Sequence, residues 1–155
     1  MGQISLDGQK VKSFNASVPI HSSPILGRER EINEILELFK EYKVITITGT
    51  GGIGKTRMSL EICQRVEANY LEGVFFVSMA TITDSREVIP AVADVLGVTE
   101  SGTRDLVEGV TSVLIGKKCL LVLDNLEHVI SAVGEISDLI ERCPNLHILC
   151  TSRTP

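Results

Sequence analysis

Residues 49–56 read Gly49-Thr50-Gly51-Gly52-Ile53-Gly54-Lys55-Thr56. Before them stands Val44-Ile45-Thr46-Ile47-Thr48, apolar and β-branched; after them, residues 57–67 place Met58, Ile62, Cys63 and Val66 on one helical face. A strand that runs into a glycine-rich turn and out into a helix commits the chain to an α/β architecture. The turn also satisfies the G-x-x-x-x-G-K-[ST] phosphate-loop pattern at every fixed position.

Each residue type in that pattern has a chemical reason. Glycines lack a Cβ, so the backbone can wrap with its N–H groups pointing inward at an anion. The following helix offers unpaired amides and the positive end of its dipole to the same anion. Lys55 adds a full charge within reach of the β and γ phosphates. Thr56 brings a hydroxyl oxygen suited to Mg²⁺, a hard cation that shares the phosphates. A glycine turn that merely caps a helix could use some of these residues; the flanking strand and helix favour a nucleotide site.

Two other stretches of the chain extend the pattern. Leu120-Leu121-Val122-Leu123-Asp124 is an apolar run ending in a carboxylate, about 70 residues after the loop, as in a Walker B strand. Such a strand carries Asp124 to the sheet edge, where it can hold Mg²⁺ through the cation's water shell; the alternative is an Asp that caps the next helix. Asn125 follows, where many ATPases of this topology carry a second acid; an amide orients water but cannot accept its proton, so slow hydrolysis is expected. Glu127 stands two residues on and reads as a first-turn acid favouring the helix dipole, or as a substitute for that acid. His128 reads as a surface or core residue rather than a catalyst. Thr151-Ser152-Arg153 follows the last apolar run, where Arg153 has the charge and fork geometry to sense a γ-phosphate; the other reading is a solvated arginine.

Hydrophobic residues make up 43% of the 155, enough for a real core, with aromatics at only 4% and no Trp, so Ile, Leu and Val must build it. The net charge of −5 argues against a nucleic-acid-binding face and leaves room for a small basic pocket. Cys63, Cys119, Cys143 and Cys150 form no C-x-x-C pair and read as free buried thiols of a reducing cytosol. Neither a signal peptide nor an apolar run of membrane-spanning length is present.

Residues 1–24 read as a linker or the remnant of a preceding domain, with Ile4, Leu6, Val11 and Phe14 around a turn at Asp7-Gly8. Residues 25–155 read as one domain. Helical spacing is expected over residues 28–42, after the capping pair Asp84 and Glu87 up to Gly97, over residues 103–115 up to Gly116, and from Val129 through Ile140. Strands are expected at residues 44–48, 74–77, 119–124 and 147–151. Strands that are apolar throughout, alternating with helices, predict a three-layer α/β P-loop NTPase sandwich with a parallel sheet of ASCE-type order. In that order another strand separates the loop strand from the one ending in Asp124.

Together, Ile25-Leu26-Gly27-Arg28-Glu29-Arg30-Glu31, the 49–56 loop, Leu121-Val122-Leu123-Asp124-Asn125 and Thr151-Ser152-Arg153 resemble the signal-transduction ATPases with numerous domains. They are most similar to the NB-ARC-like ATPase module of large bacterial transcriptional and signalling regulators. The resemblance implies that Leu26, Gly27 and Arg28 lie against adenine and ribose. It implies that Gly49, Thr50, Gly51, Gly52, Ile53, Gly54, Lys55, Thr56 and Arg57 hold the phosphates, that Thr56 and Asp124 serve Mg²⁺, and that Lys55, Asp124 and Arg153 carry the chemistry. It further implies an ADP-bound resting state, an ATP-bound assembled one, and a helical lid and winged helix downstream of Pro155, with self-assembly and full affinity depending on them. The expected chain is therefore a cytoplasmic ATP- or ADP-binding switch domain without nucleic-acid or membrane contacts of its own, and a homo-oligomer in its full-length form. A non-catalytic nucleotide-binding module and a small-molecule kinase stand beside that reading. Residues 127–141 contain no Arg or Lys, which counts against the kinase.

Overall fold

A computed structural model of the chain describes residues 18–19, 23, 25–99, 105–128 and 133–153. The hairpin expected within residues 4–14, the helix start at Thr103, and Val129 and Ile130 lie outside them. In chain order the elements are helix α1 (Glu29–Leu38), strand β1 (Val44–Thr48), helix α2 (Lys55–Val66), strand β2 (Val74–Ser78), helices α3 (Val88–Leu96) and α4 (Leu106–Leu114), strand β3 (Leu120–Asp124), helix α5 (Val133–Arg142) and strand β4 (His147–Ser152).

The strands pair in parallel in the order β1-β4-β3-β2, so β4 separates the loop strand from the strand ending in Asp124, as the sequence pattern predicts. Parallel register aligns their carboxyl ends: Thr48 lies opposite Ser152, and Ser78 opposite Asp124. Ligands of open α/β sheets bind at that edge.

Period-two alternation sends side chains to two cores. Ile45, Val74, Phe76, Leu120, Val122 and Leu149 face α2 and α1, where Ile32, Met58, Ile62 and Val66 are buried. Phe75, Val77, Leu121, Leu123, Ile148 and Cys150 face α3, α4 and α5. Helices on both faces are why β3 is buried along its whole length.

Local chemistry sets the helix ends. α1 stops at Leu38 rather than Tyr42, because Lys40 and Glu41 donate to the carbonyls of Glu37 and Leu38, a tighter three-residue turn that brings the chain into β1. The Asp84 carboxylate accepts from the Arg86 amide at 3.0 Å, so a short 3₁₀ turn, Ser85–Glu87, replaces the expected capping box before α3. The Asp105 carboxylate accepts from the Val107 amide at 3.3 Å and caps α4. Gly97 (φ 70°) and Gly116 (φ 75°) follow α3 and α4 in the left-handed conformation, as helix stops. Among the described residues, no helix is long and apolar enough to cross a membrane.

All four cysteines are free and buried. Burial pushes the Cys63 thiol up to about 12 and those of Cys119 and Cys150 to about 11, where almost none is thiolate at neutral pH. With a disulfide reagent at pH 8, these three thiols are expected to react at the rate of unfolding and immediately in guanidinium. Rapid reaction in the native protein would show that these cores are open.

Candidate nucleotide site

Strand β1 ends at Thr48, and the chain must turn sharply to start α2. Gly52 (φ 80°) and Gly54 (φ 91°) take left-handed conformations that a side chain would strain, and Gly54 caps α2. With Gly54 as cap, the helix begins at Lys55, two residues earlier than its apolar face predicts. The Lys55 ammonium donates to the carbonyls of Gly49 at 2.6 Å and Thr50 at 3.0 Å, which folds its charge back over the loop.

Thr56, in the first turn of α2, meets Asp124 at the end of β3. Its hydroxyl lies 3.0 Å from Oδ1 and 2.9 Å from Oδ2 of the carboxylate. Thr151 of β4 approaches from the other side, donating to Asp124 Oδ1 at 2.6 Å while its oxygen accepts the Asn125 amide at 2.8 Å. Asn125 reaches that amide contact through a left-handed backbone (φ 67°), a conformation that asparagine tolerates better than most residues. A buried carboxylate needs such partners, and Asp124 is only 5% exposed. The Met79 amide donates to the Asp124 carbonyl at 2.8 Å, which fixes the strand end itself.

Thr56 and Asp124 thus present a hydroxyl and a carboxylate oxygen 2.9–3.0 Å apart. Neighbouring corners of an Mg²⁺ octahedron with ligands near 2.1 Å are separated by about 3.0 Å. The donor set is oxygen only, as that cation requires, so these residues fit it.

Arg153 stands beside the loop. Its guanidinium lies 3.6–3.7 Å from the place a Cβ on Gly51 would occupy, and its Nε forms an ion pair with Glu127 Oε2 at 3.1 Å. Glu127 does stand in a first helical turn, and its side chain also pairs with Arg153, which the sequence reading did not foresee. The segment Leu126–His128 is a 3₁₀ turn, and the Glu127 side chain is 7% exposed against Arg153 rather than facing solvent. Sequence reading also missed Thr151 as the clamp on Asp124. The signal available for it was a hydroxyl residue at the end of the strand neighbouring the Asp124 strand.

The remaining expected residues are more dispersed. Arg28 donates to the Ile53 carbonyl at 3.2 Å and pairs with Glu31 at 3.1 Å, so it touches the loop from outside. Leu26 is 86% exposed and Gly27 is left-handed (φ 76°). The Arg57 guanidinium bonds the Ser23 carbonyl rather than the loop.

A family model described as the NB-ARC domain matches residues 28–154. An uncharacterised protein of Mycobacterium tuberculosis is 31% identical over 144 residues, which is 92% of this chain and 37% of that protein. A protein of the same species named as an HTH-type transcriptional regulator is 34% identical over 119 residues, 76% of this chain and 13% of that protein. The chain therefore spans little more than a third of the first relatives it matches. Among solved structures, the Aeropyrum pernix ORC2 protein superposes with a TM-score of 0.66 at 14% identity, covering 84% of this chain and 42% of that one. Cdc6p of Pyrobaculum aerophilum does so with a TM-score of 0.67 at 13% identity, covering 90% and 41%. At these identities the likeness is one of fold.

Thr151→Val keeps the shape of the side chain and removes both hydrogen bonds. It is expected to cost about 1–3 kcal/mol in urea unfolding, because the Asn125 amide and one Asp124 oxygen each lose a partner. An unchanged midpoint would mean the clamp contributes nothing.

Proposed function

The chain belongs to the NB-ARC domain family, and on that footing we propose that it is the ATP- or ADP-binding domain of a regulatory switch ATPase, Mg²⁺-dependent and slow in hydrolysis. The observation that carries the proposal is the pairing of the Thr56 hydroxyl with the Asp124 carboxylate just after a glycine loop over which the Lys55 ammonium is folded. The ORC2 protein that shares the fold was solved with ADPNP and ADP, which supports the choice of nucleotide.

The amides of residues 49–56 cradle the phosphates, and Lys55 exchanges the Gly49 and Thr50 carbonyls for phosphate oxygens. Thr56 and Asp124 would hold Mg²⁺, which would supply positive charge to the terminal phosphates. Thr151 keeps the Asp124 carboxylate aimed at Thr56. Arg153 supplies a guanidinium beside Gly51 to contact a third phosphate. Leu26, Gly27 and Arg28 face the base, with the exposed Leu26 available to cover it and Arg28 tied to the loop at Ile53. Arg57 anchors the preceding segment at Ser23.

Asn125 supports slow turnover, because an amide accepts no proton from water. The same residue favours a second reading, a domain that binds nucleotide and never hydrolyses it. The greater length of the relatives supports placing residues 25–155 within a longer regulator. There a helical lid and winged helix would close over the nucleotide, and ATP would favour assembly. The relative named as an HTH-type regulator supports a role in transcription, with DNA contact assigned outside this acidic domain.

In calorimetry with Mg·ATP, Lys55→Ala is expected to bind roughly tenfold or more weakly than the unaltered chain. Equal heats from the two proteins would remove the nucleotide site. A steady phosphate-release assay then separates slow turnover from none.

A further inference from the structure

The ion pair between Glu127 and Arg153 has an unusual distribution of burial. The arginine side chain is 61% exposed and the glutamate 7%. Glu127 Oε2 sits 3.1 Å from Nε, the inner edge of the guanidinium, while Oε1 is buried without a hydrogen-bond partner. A nearly buried carboxylate with one unpartnered oxygen costs stability, and its attraction to the guanidinium offsets part of that cost. Among the described residues, no hydrogen-bond partner is found for Nη1 or Nη2 of Arg153. Its Nε and Cζ lie 3.6 and 3.7 Å from the place a Cβ on Gly51 would occupy, which sets the guanidinium beside the glycine loop.

We propose that Glu127 is a positioning residue that grips Arg153 by its inner edge and presents the outer fork to the third phosphate of a bound nucleoside triphosphate. An exposed arginine must give up rotamer freedom to fix itself on a ligand; one already held has lost it during folding, so more of its contact energy appears as affinity. The fork suits a phosphate because its two Nη groups donate in parallel. Glu127 thereby sharpens discrimination between triphosphate and diphosphate without touching either. Its charge also repels phosphate, and the pairing with Arg153 outweighs that repulsion.

The inference rests on the sensor role proposed for Arg153, and the experiment separates the two. Calorimetry with Mg·ADP and with Mg·ADPNP, a triphosphate analogue, is run on the 155-residue chain, Glu127→Gln, Arg153→Ala and the double variant. Glu127→Gln is expected to weaken the triphosphate about fivefold, to leave ADP within about twofold, and to add nothing once Arg153 is alanine. If Glu127→Gln does not fold, Glu127→Asp takes its place, with the same loss of discrimination expected from its shorter reach. Equal loss for both nucleotides, a tightened triphosphate, or a loss that persists in the Arg153→Ala background would each overturn the proposal. So would an unchanged triphosphate affinity accompanied by lost hydrolysis, which would make Glu127 a proton acceptor. An Arg153→Ala variant with unaltered discrimination removes the sensor reading and this inference with it. Discrimination lost in Arg153→Ala but kept in Glu127→Gln removes this inference alone.

Discussion

The structure depends on how one buried carboxylate is held. Asp124 ends the most buried strand of the sheet, where an ionised group without partners would be costly. Two hydroxyls relieve that cost, Thr56 from the helix after the glycine loop and Thr151 from the neighbouring strand. Because the partners come from β4 and α2, the carboxylate ties the loop, the sheet and the helix to one point. Of the two hydroxyls, that of Thr56 is the one proposed to share a hard cation with the carboxylate.

The strand order makes this convergence possible. With β4 between β1 and β3, the carboxyl ends of the loop strand and the aspartate strand flank Thr151 and Ser152. Arg153, one residue further, emerges beside Gly51 and reaches Glu127. Parallel pairing and register therefore bring residues that lie far apart in sequence to a single edge. The two cores, apolar and built mainly from Ile, Leu and Val, fix the strands that carry them.

Much of this was legible in the sequence. The glycine loop announces its own conformation, because Gly52 and Gly54 stand where φ must be positive, and Lys55 and Thr56 follow at fixed offsets. Asp124 was legible because an apolar run carried it. Thr151 and Glu127 were not, because their meaning arises from pairing across strands. A threonine ending a strand is ordinary until register sets it against an aspartate, and Glu127 resembles any helix-start acid until a 3₁₀ turn aims it inward at Arg153. The helix ends drifted by a few residues for a similar reason. Apolar spacing marks the face of α1 but not the tighter turn that ends it, and marks the face of α2 but not the left-handed Gly54 that starts it.

Thr56 and Asp124 are proposed as the cation-bearing corner of a nucleotide site. The most direct measurement is the affinity for ATP with and without Mg²⁺, on the unaltered chain and on Asp124→Asn. Mg²⁺ is expected to strengthen ATP binding roughly tenfold in the former and hardly at all in the latter, since an amide is a poor ligand for so hard a cation. The same gain in both proteins would contradict it.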